Sequence, residues 1–138
     1  MPPNQRSIGV AHEWLAYARS DLLLADIDPP EGVMLDALCY HAQQAAEKAM
    51  NAILVACEVD FPPTHNLAVL RDLVLEVYEL PTNAQSVAEL TAYAVASRYP
   101  EDLGPVTDQS EVDLAVGIAR ATLECAEAYI AEASKELE

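Results

Sequence analysis

The stretch C-Y-H-A-Q-Q-A-A-E-K-A-M-N-A-I-L-V-A-C, residues 39–57, decides the fold. Together with the residues just before it, Leu35, Leu38, Ala42, Ala45, Ala49, Ile53 and Ala56 recur at the three-and-four spacing that gathers side chains on one side of an α-helix. Such a helix buries a continuous seam against other helices. Because much of the seam is alanine, neighbouring backbones can approach closely. Two polar stripes flank it, Tyr40, Gln43 and Glu47 on one side and His41, Gln44, Lys48 and Asn51 on the other. The second stripe reads equally as a solvated face and as a wet dimer interface or binding groove.

Outward from this core helix, the same periodicity marks its neighbours. Ala11, Trp14, Leu15, Ala18, Leu22 and Ala25 form an apolar face that starts near Ser7 and ends at Asp26-Ile27-Asp28-Pro29-Pro30. Trp14 falls inside that series as a core anchor. Residues 1–7 read as a short disordered lead. The core helix is predicted to enter after Pro30, where a missing N–H does no harm, and to run to about Glu58, roughly 40 Å in all. Prolines in Phe61-Pro62-Pro63-Thr64-His65-Asn66 enforce an extended crossing before Thr64 or Asn66 caps a third helix. That helix carries Leu67, Leu70, Val74 and Val77 on one face and breaks at Pro81. A fourth is predicted from Thr82 or Asn83 to Pro100, burying Val87, Leu90, Thr91 and Ala94, with Arg98 emerging where the inward face runs out. Asp108 with Glu111 has the form of a capping box for a last helix, faced by Val112, Ala115, Ala119, Leu123, Ala126, Ile130 and Ala133. Four glycines and 6% aromatics also favour helices over a β-sandwich. The expectation is an all-α, up-and-down four-helix bundle with a short additional helix, one domain over residues 8–138.

Charge narrows the function classes. With 23 acidic and 7 basic residues the formal charge is −16, which repels phosphate backbones and anionic lipid alike. An extended nucleic-acid surface is thus unexpected, while a local anion pocket survives because a few arginines can dominate within a Debye length of about 8 Å. No apolar run reaches the ~18–20 residues that span a bilayer. The start M-P-P-N-Q-R-S lacks the basic-then-apolar form of a signal peptide, and the expected location is the cytoplasm. Of the three cysteines, Cys39 and Cys57 would lie about 27 Å apart on one helix and cannot pair, so Cys39, Cys57 and Cys125 read as reduced thiols in buried positions.

Several chemistries lack their minimum parts. A di-iron bundle needs Glu-x-x-His pairs, and none of His12, His41 or His65 has a Glu three positions before it. There is no H-x-x-x-H, no paired Cys/His cluster, no Gly-rich phosphate loop and no G-x-S-x-G, so neither a metal nor a cofactor is expected.

H-A-Q-Q-A-A-E-K-A at 41–49 resembles the signature of HEPN domains, the nucleotide-binding helical bundles of higher eukaryotes and prokaryotes. The likeness continues through F-P-P-T-H-N-L at 61–67 and A-x-x-S-R-Y-P-E at 94–101. The resemblance implies a homodimer. For catalytically active members it implies a metal-independent ribonuclease with an Arg, four to six residues, then a His near the dimer interface. Arg98 matches that arginine, but the eligible histidine positions hold Leu103, Gly104 and Pro105. None of these can supply the imidazole acid or base that cleavage by a 2′-hydroxyl uses. The sequence therefore reads as a non-catalytic nucleotide-binding or regulatory module. By resemblance it is a partner of a minimal nucleotidyltransferase in a toxin–antitoxin or defence pair. A ribonuclease using Arg98 with another general base, His65 or His41, is one alternative; a purely structural interaction module is another. In the nucleotide reading Arg98 and Lys48 pair with phosphate, Tyr99 stacks on a base and His65 donates a hydrogen bond, while His41, Gln44 and Asn51 line an interface or groove. Plainer roles stand beside these: Arg98 at a helix C-terminus, Tyr99 packed under a loop, His65 bonded at a helix start.

Overall fold

In the computed structural model, residues 2–96 and 108–138 are described; Arg98 and Tyr99 lie outside them. The described residues are all-α: α1 (Gln5–Ala25), α2 (Leu35–Ala56), α3 (Leu67–Leu75), α4 (Thr82–Gln85), a 3-10 turn (Ser86–Leu90), α5 (Thr91–Ala96) and α6 (Gln109–Glu136). Three long helices, α1, α2 and α6, pack on one another. α2 also touches α3, α5 and the 3-10 turn, so it is the axis of the bundle. Among the described residues, no helix is long and apolar enough to cross a membrane.

α2 has almost no solvent face. Ala42, Ala45, Ala46, Ala49, Ala52 and Ala56 are fully buried, as are Met50, Ile53 and Leu54. The seam read from the sequence is thus one sector of a helix surrounded on nearly all sides. The last helix behaves as its pattern predicts: Val112, Ala115, Ala119, Leu123, Ala126, Ile130 and Ala133 are all buried.

The ends of the elements differ from the sequence reading, each for a local reason. α1 begins at Gln5, so the lead expected over residues 1–7 is shorter. Asn4 Oδ1 accepts from the Ser7 N–H at 3.0 Å, and the Asn4 N–H donates to Ser7 Oγ at 3.0 Å, a reciprocal cap. The Ser7 hydroxyl also donates to the Ala56 carbonyl at 2.7 Å, tying the start of α1 to the end of α2 and fixing the two as antiparallel neighbours. α2 starts at Leu35 rather than after Pro30, because the chain first turns through Gly32 at φ +89°, with the Val33 N–H bonded to the Pro30 carbonyl. It closes with Glu58 in the left-handed region at φ 54°. α3 stops at Leu75, well before Pro81. Val77 is exposed, and Tyr78 packs instead on Tyr129 with ring centroids 4.8 Å apart.

The fourth helix is not continuous. Ala84, Val87 and Leu90 are all buried at a spacing of three. That period belongs to a 3-10 helix, in which residues i and i+3 eclipse, so burying this row tightens the middle of the segment. Thr91, assigned to the core from sequence, is only half-buried; its hydroxyl accepts from the Leu67 N–H at 3.0 Å and helps start α3. Asp108 caps α6 by accepting from the Ser110 N–H at 2.8 Å, while Glu111, expected to complete that box, instead accepts from the Tyr93 hydroxyl at 2.7 Å.

Ser7 holds a cap and an interhelical bond at once, so Ser7→Ala leaves the Ala56 carbonyl without its partner. The urea midpoint should fall by the equivalent of about 1–2 kcal/mol. The Asp108 cap gives a pH signature. The Ser110 hydrogen bond holds its carboxyl below the ordinary value, so its stabilisation is present above about pH 4 and fades as pH falls through the lowered folded value. Asp108→Ala should melt below the wild type at pH 7, with the gap narrowing as the pH falls below about 4 and through the lowered folded value.

Candidate functional site

A helix enclosed on most sides must pair its polar side chains internally, and α2 does so in two clusters. On one flank, Gln44 Nε2 donates to Gln43 Oε1 at 2.7 Å, and Gln43 Nε2 donates to Glu47 Oε1 at 3.2 Å. The same Glu47 oxygen lies 2.7 Å from His65 Nδ1, which comes from the extended crossing between α2 and α3. A carboxylate only accepts, so Nδ1 carries the proton in this pair. The Glu47 side chain is 10% exposed and that of His65 is 52% exposed, so the carboxylate anchors and the imidazole faces out.

On the other flank, α1 supplies Asp21, which is 8% exposed. Its two oxygens accept from His41 Nδ1 at 3.0 Å and from Lys48 Nζ at 2.5 Å. The Lys48 ammonium also stands 5.9 Å from the centre of the Tyr17 ring. The stripe His41, Gln44, Lys48 and Asn51 is therefore neither a free solvated face nor a groove open to a ligand over its length, because most of it is spent on contacts within the chain.

Asn51 is the exception. It is 6% exposed, and its Oδ1 is buried without a hydrogen-bond partner. It sits on the wall of a cavity of about 280 Å³ between α1, α2 and the crossing, together with Trp14, Glu47, Phe61, Thr64 and His65. Trp14 is therefore half-buried at a cavity wall rather than sunk in the core. A wider depression of about 510 Å³ near the start of α1 mixes Arg6 with Glu58 and Asp60 and has no such unpartnered buried group.

The residues expected to form one nucleotide pocket are thus divided. His65 lines the cavity, beside Asn51 from the expected interface or groove, while Lys48 turns to Asp21 and is absent from the cavity wall. Arg98 and Tyr99 lie outside the described residues. Sequence reasoning missed Asp21 and Glu47 as the anchors of these clusters, and Trp14 and Phe61 as cavity walls. The one available signal was Glu47 on the helix flank that the F-P-P-T-H crossing must pass. Among the described residues, no group of three or more His, Cys, Asp or Glu is placed to hold a metal ion. Cys39, Cys57 and Cys125 are free; burial, with Glu111 and Asp36 nearby, pushes the Cys39 thiol up to about 11.

Because Asp21 neutralises Lys48 and bonds His41 at once, Asp21→Asn should destabilise the fold by on the order of 2 kcal/mol, leaving a half-buried ammonium without its counter-charge. Chemical denaturation checks this, and Asp21→Asn with Lys48→Met should recover part of the loss.

Comparison with known proteins follows the same lines. No match was found among curated proteins. Among solved structures, the chain is similar to TT1696 from Thermus thermophilus, with 28% identity and a TM-score of 0.73 over 85% of this chain and 95% of that one. The HEPN domain pattern matches residues 11–136, nearly the whole described bundle. The chain belongs to the HEPN domain family.

Proposed function

We propose that this HEPN protein is a non-catalytic binding and regulatory module. It works as a homodimer beside a protein partner, of the minimal nucleotidyltransferase kind that the family resemblance implies in toxin–antitoxin or defence pairs. In this reading it acts in the cytoplasm, and Arg98 and Tyr99 form its nucleotide-binding element. The observation that carries the reading is the state of its polar groups: His41 and Lys48 are held by Asp21, and His65 is held by Glu47 beside a preformed cavity. Fixed donors and acceptors around a cavity suit recognition. Cleavage of RNA by the Arg98 motif itself would need, in addition, an imidazole in the position that Leu103, Gly104 and Pro105 occupy in the sequence. An exposed apolar row on α1, Val10, Tyr17 and Leu24 at seven-residue spacing, supports a protein contact on that side.

One observation favours the ribonuclease alternative. Glu47 orients His65 much as a carboxylate orients a general base, so an imidazole from outside the Arg98 motif is available in a defined tautomer.

Incubation of the protein with a short RNA without metal separates the two readings. The module reading expects intact RNA, together with a mononucleotide that raises the melting temperature of wild type but not of Arg98→Ala. Cleavage lost in both Arg98→Ala and His65→Ala would overturn it in favour of the enzyme.

A further inference from the structure

We propose that the outward row of α1 is a self-association face whose occupant is α1 of a second copy of this chain, lying antiparallel across a two-fold axis beside Tyr17. The inference rests on the homodimer of the module reading and names the face that forms it.

One stripe of α1 stays outside the core. Val10 is 38% exposed, Tyr17 66% and Leu24 45%, and Trp14, between the first two, is half-buried. Residues seven apart share a helix face, so the three exposed side chains form a row about 21 Å long. Apolar side chains scattered singly need no partner, whereas a row along one helix face is what a helix carries at a contact with another helix. Beside Tyr17 the surface dips into a depression of about 270 Å³ lined by Glu13, Trp14 and Tyr17. Residues three and four apart frame the kind of hole that takes a side chain from a facing helix.

Charge narrows the occupant. Two copies of a chain with formal charge −16 repel each other, and they repel least where the opposed surfaces are locally neutral. α1 is such a surface. It holds two acids, Glu13 and Asp21, against two bases, Arg6 and Arg19, and Asp21 is already paired with Lys48. α6, the other long helix with an exposed side, holds six acids against Arg120 and Lys135. Of the long helices that reach solvent, α1 is the one that a second acidic copy can approach.

Symmetry matches the row to itself. In a two-fold contact, residue i of one copy meets residue j of the other, and j meets i in turn. The row is evenly spaced about Tyr17. An antiparallel neighbour centred there brings Val10 against Leu24 of the other copy, twice, with the two Tyr17 side chains next to each other at the centre. Arg6 and Asp28 stand eleven positions before and after Tyr17, and neither takes part in an ion pair among the described residues. Glu58 and Asp60 share the depression beside Arg6 without pairing with it. The same axis presents Arg6 of each copy to Asp28 of the other, so opposite charges face each other at both ends of the seam.

Sedimentation velocity on the full chain at about 0.15 M salt, over a range of protein concentrations, tests the face. The expected result is a wild-type dimer that Tyr17→Ala weakens at least ~30-fold, because each dimer loses the side chain twice. Leu24→Ser should weaken it in the same direction, and both variants should melt near the wild type, since these side chains are largely exposed. Leu23→Ala is the control. Leu23 is 72% exposed but lies on the side of α1 that faces α6, and its loss should leave the dimer unchanged. The register is read by mixing Val10→Cys with Leu24→Cys under mild oxidation. The two variants should cross-link to each other more than either does to itself, with wild type measuring the background from Cys125, since a disulfide needs Cα atoms within about 7 Å. A dimer indifferent to Tyr17→Ala, or weakened as much by Leu23→Ala, would place the contact elsewhere and sink this face while leaving the homodimer standing. No preference for the mixed cross-link would overturn the antiparallel arrangement. A wild type that stays monomeric at about 100 μM would remove the homodimer from the module reading and this face with it. Cleavage of RNA in the preceding experiment would remove the non-catalytic reading without touching these measurements.

Discussion

The enclosure of α2 is the constraint on which the rest depends. A helix lined by six fully buried alanines draws α1 and α6 close, and closeness leaves its polar residues no route to bulk water. Every polar side chain on such a helix must find a partner from another element or bear a desolvation cost. Asp21 from α1 and His65 from the crossing meet that demand for His41, Lys48 and Glu47. The same contacts fix how α1 lies along α2, a job shared with the Ser7 to Ala56 bond at the far end. The fold and the candidate site are thus one arrangement, since the groups that register the helices also shape the cavity.

Much of this could be read from the sequence, and the division follows from range. Apolar periodicity is a property of consecutive residues, so the seam of α2 and the inward row of α6 were legible from Leu35 to Ala133. Which residue answers a polar group across the bundle is decided by three-dimensional register, which sequence spacing does not encode. Hence Lys48 reads naturally as a phosphate ligand on its stripe and is found on Asp21, 27 positions away in the chain. The boundary misses have the same origin. Tyr78 leaves the helical pattern to pack on Tyr129, and the row Ala84, Val87 and Leu90 tightens to a three-residue period because its neighbours demand burial. Of the cavity residues, His65 was marked in sequence as a donor to a ligand and Asn51 as part of a groove, and Asn51 was marked by position on a face, not by its missing partner.

Charge and pairing act together on function. In a chain of −16, each internal ion pair uses one of only seven cations. Arg19 meets Glu127, Arg71 meets Asp72, Arg120 meets Asp26 and Lys48 meets Asp21, so four of the seven are engaged within the chain. The surface pairs contribute little to stability, and their larger effect is to leave the acidic field nearly uncompensated. Such a field attracts basic partners and slows the approach of polyanions. The family fold alone decides nothing here, because the same bundle can host quite different chemistry.

The contrast between Glu47 and Asn51 carries the argument furthest. They lie four positions apart on the same helix, one turn along one face, and both border the same cavity. Glu47 is satisfied by Gln43 and His65, which shows that this fold can place partners for a buried polar group. At Asn51, one turn away, the Oδ1 acceptor goes without one. If packing were the whole purpose of the position, an alanine like Ala52 beside it would bury without cost. Oδ1 is enclosed rather than open to the cavity, so Asn51 bears a desolvation cost that its packing does not offset.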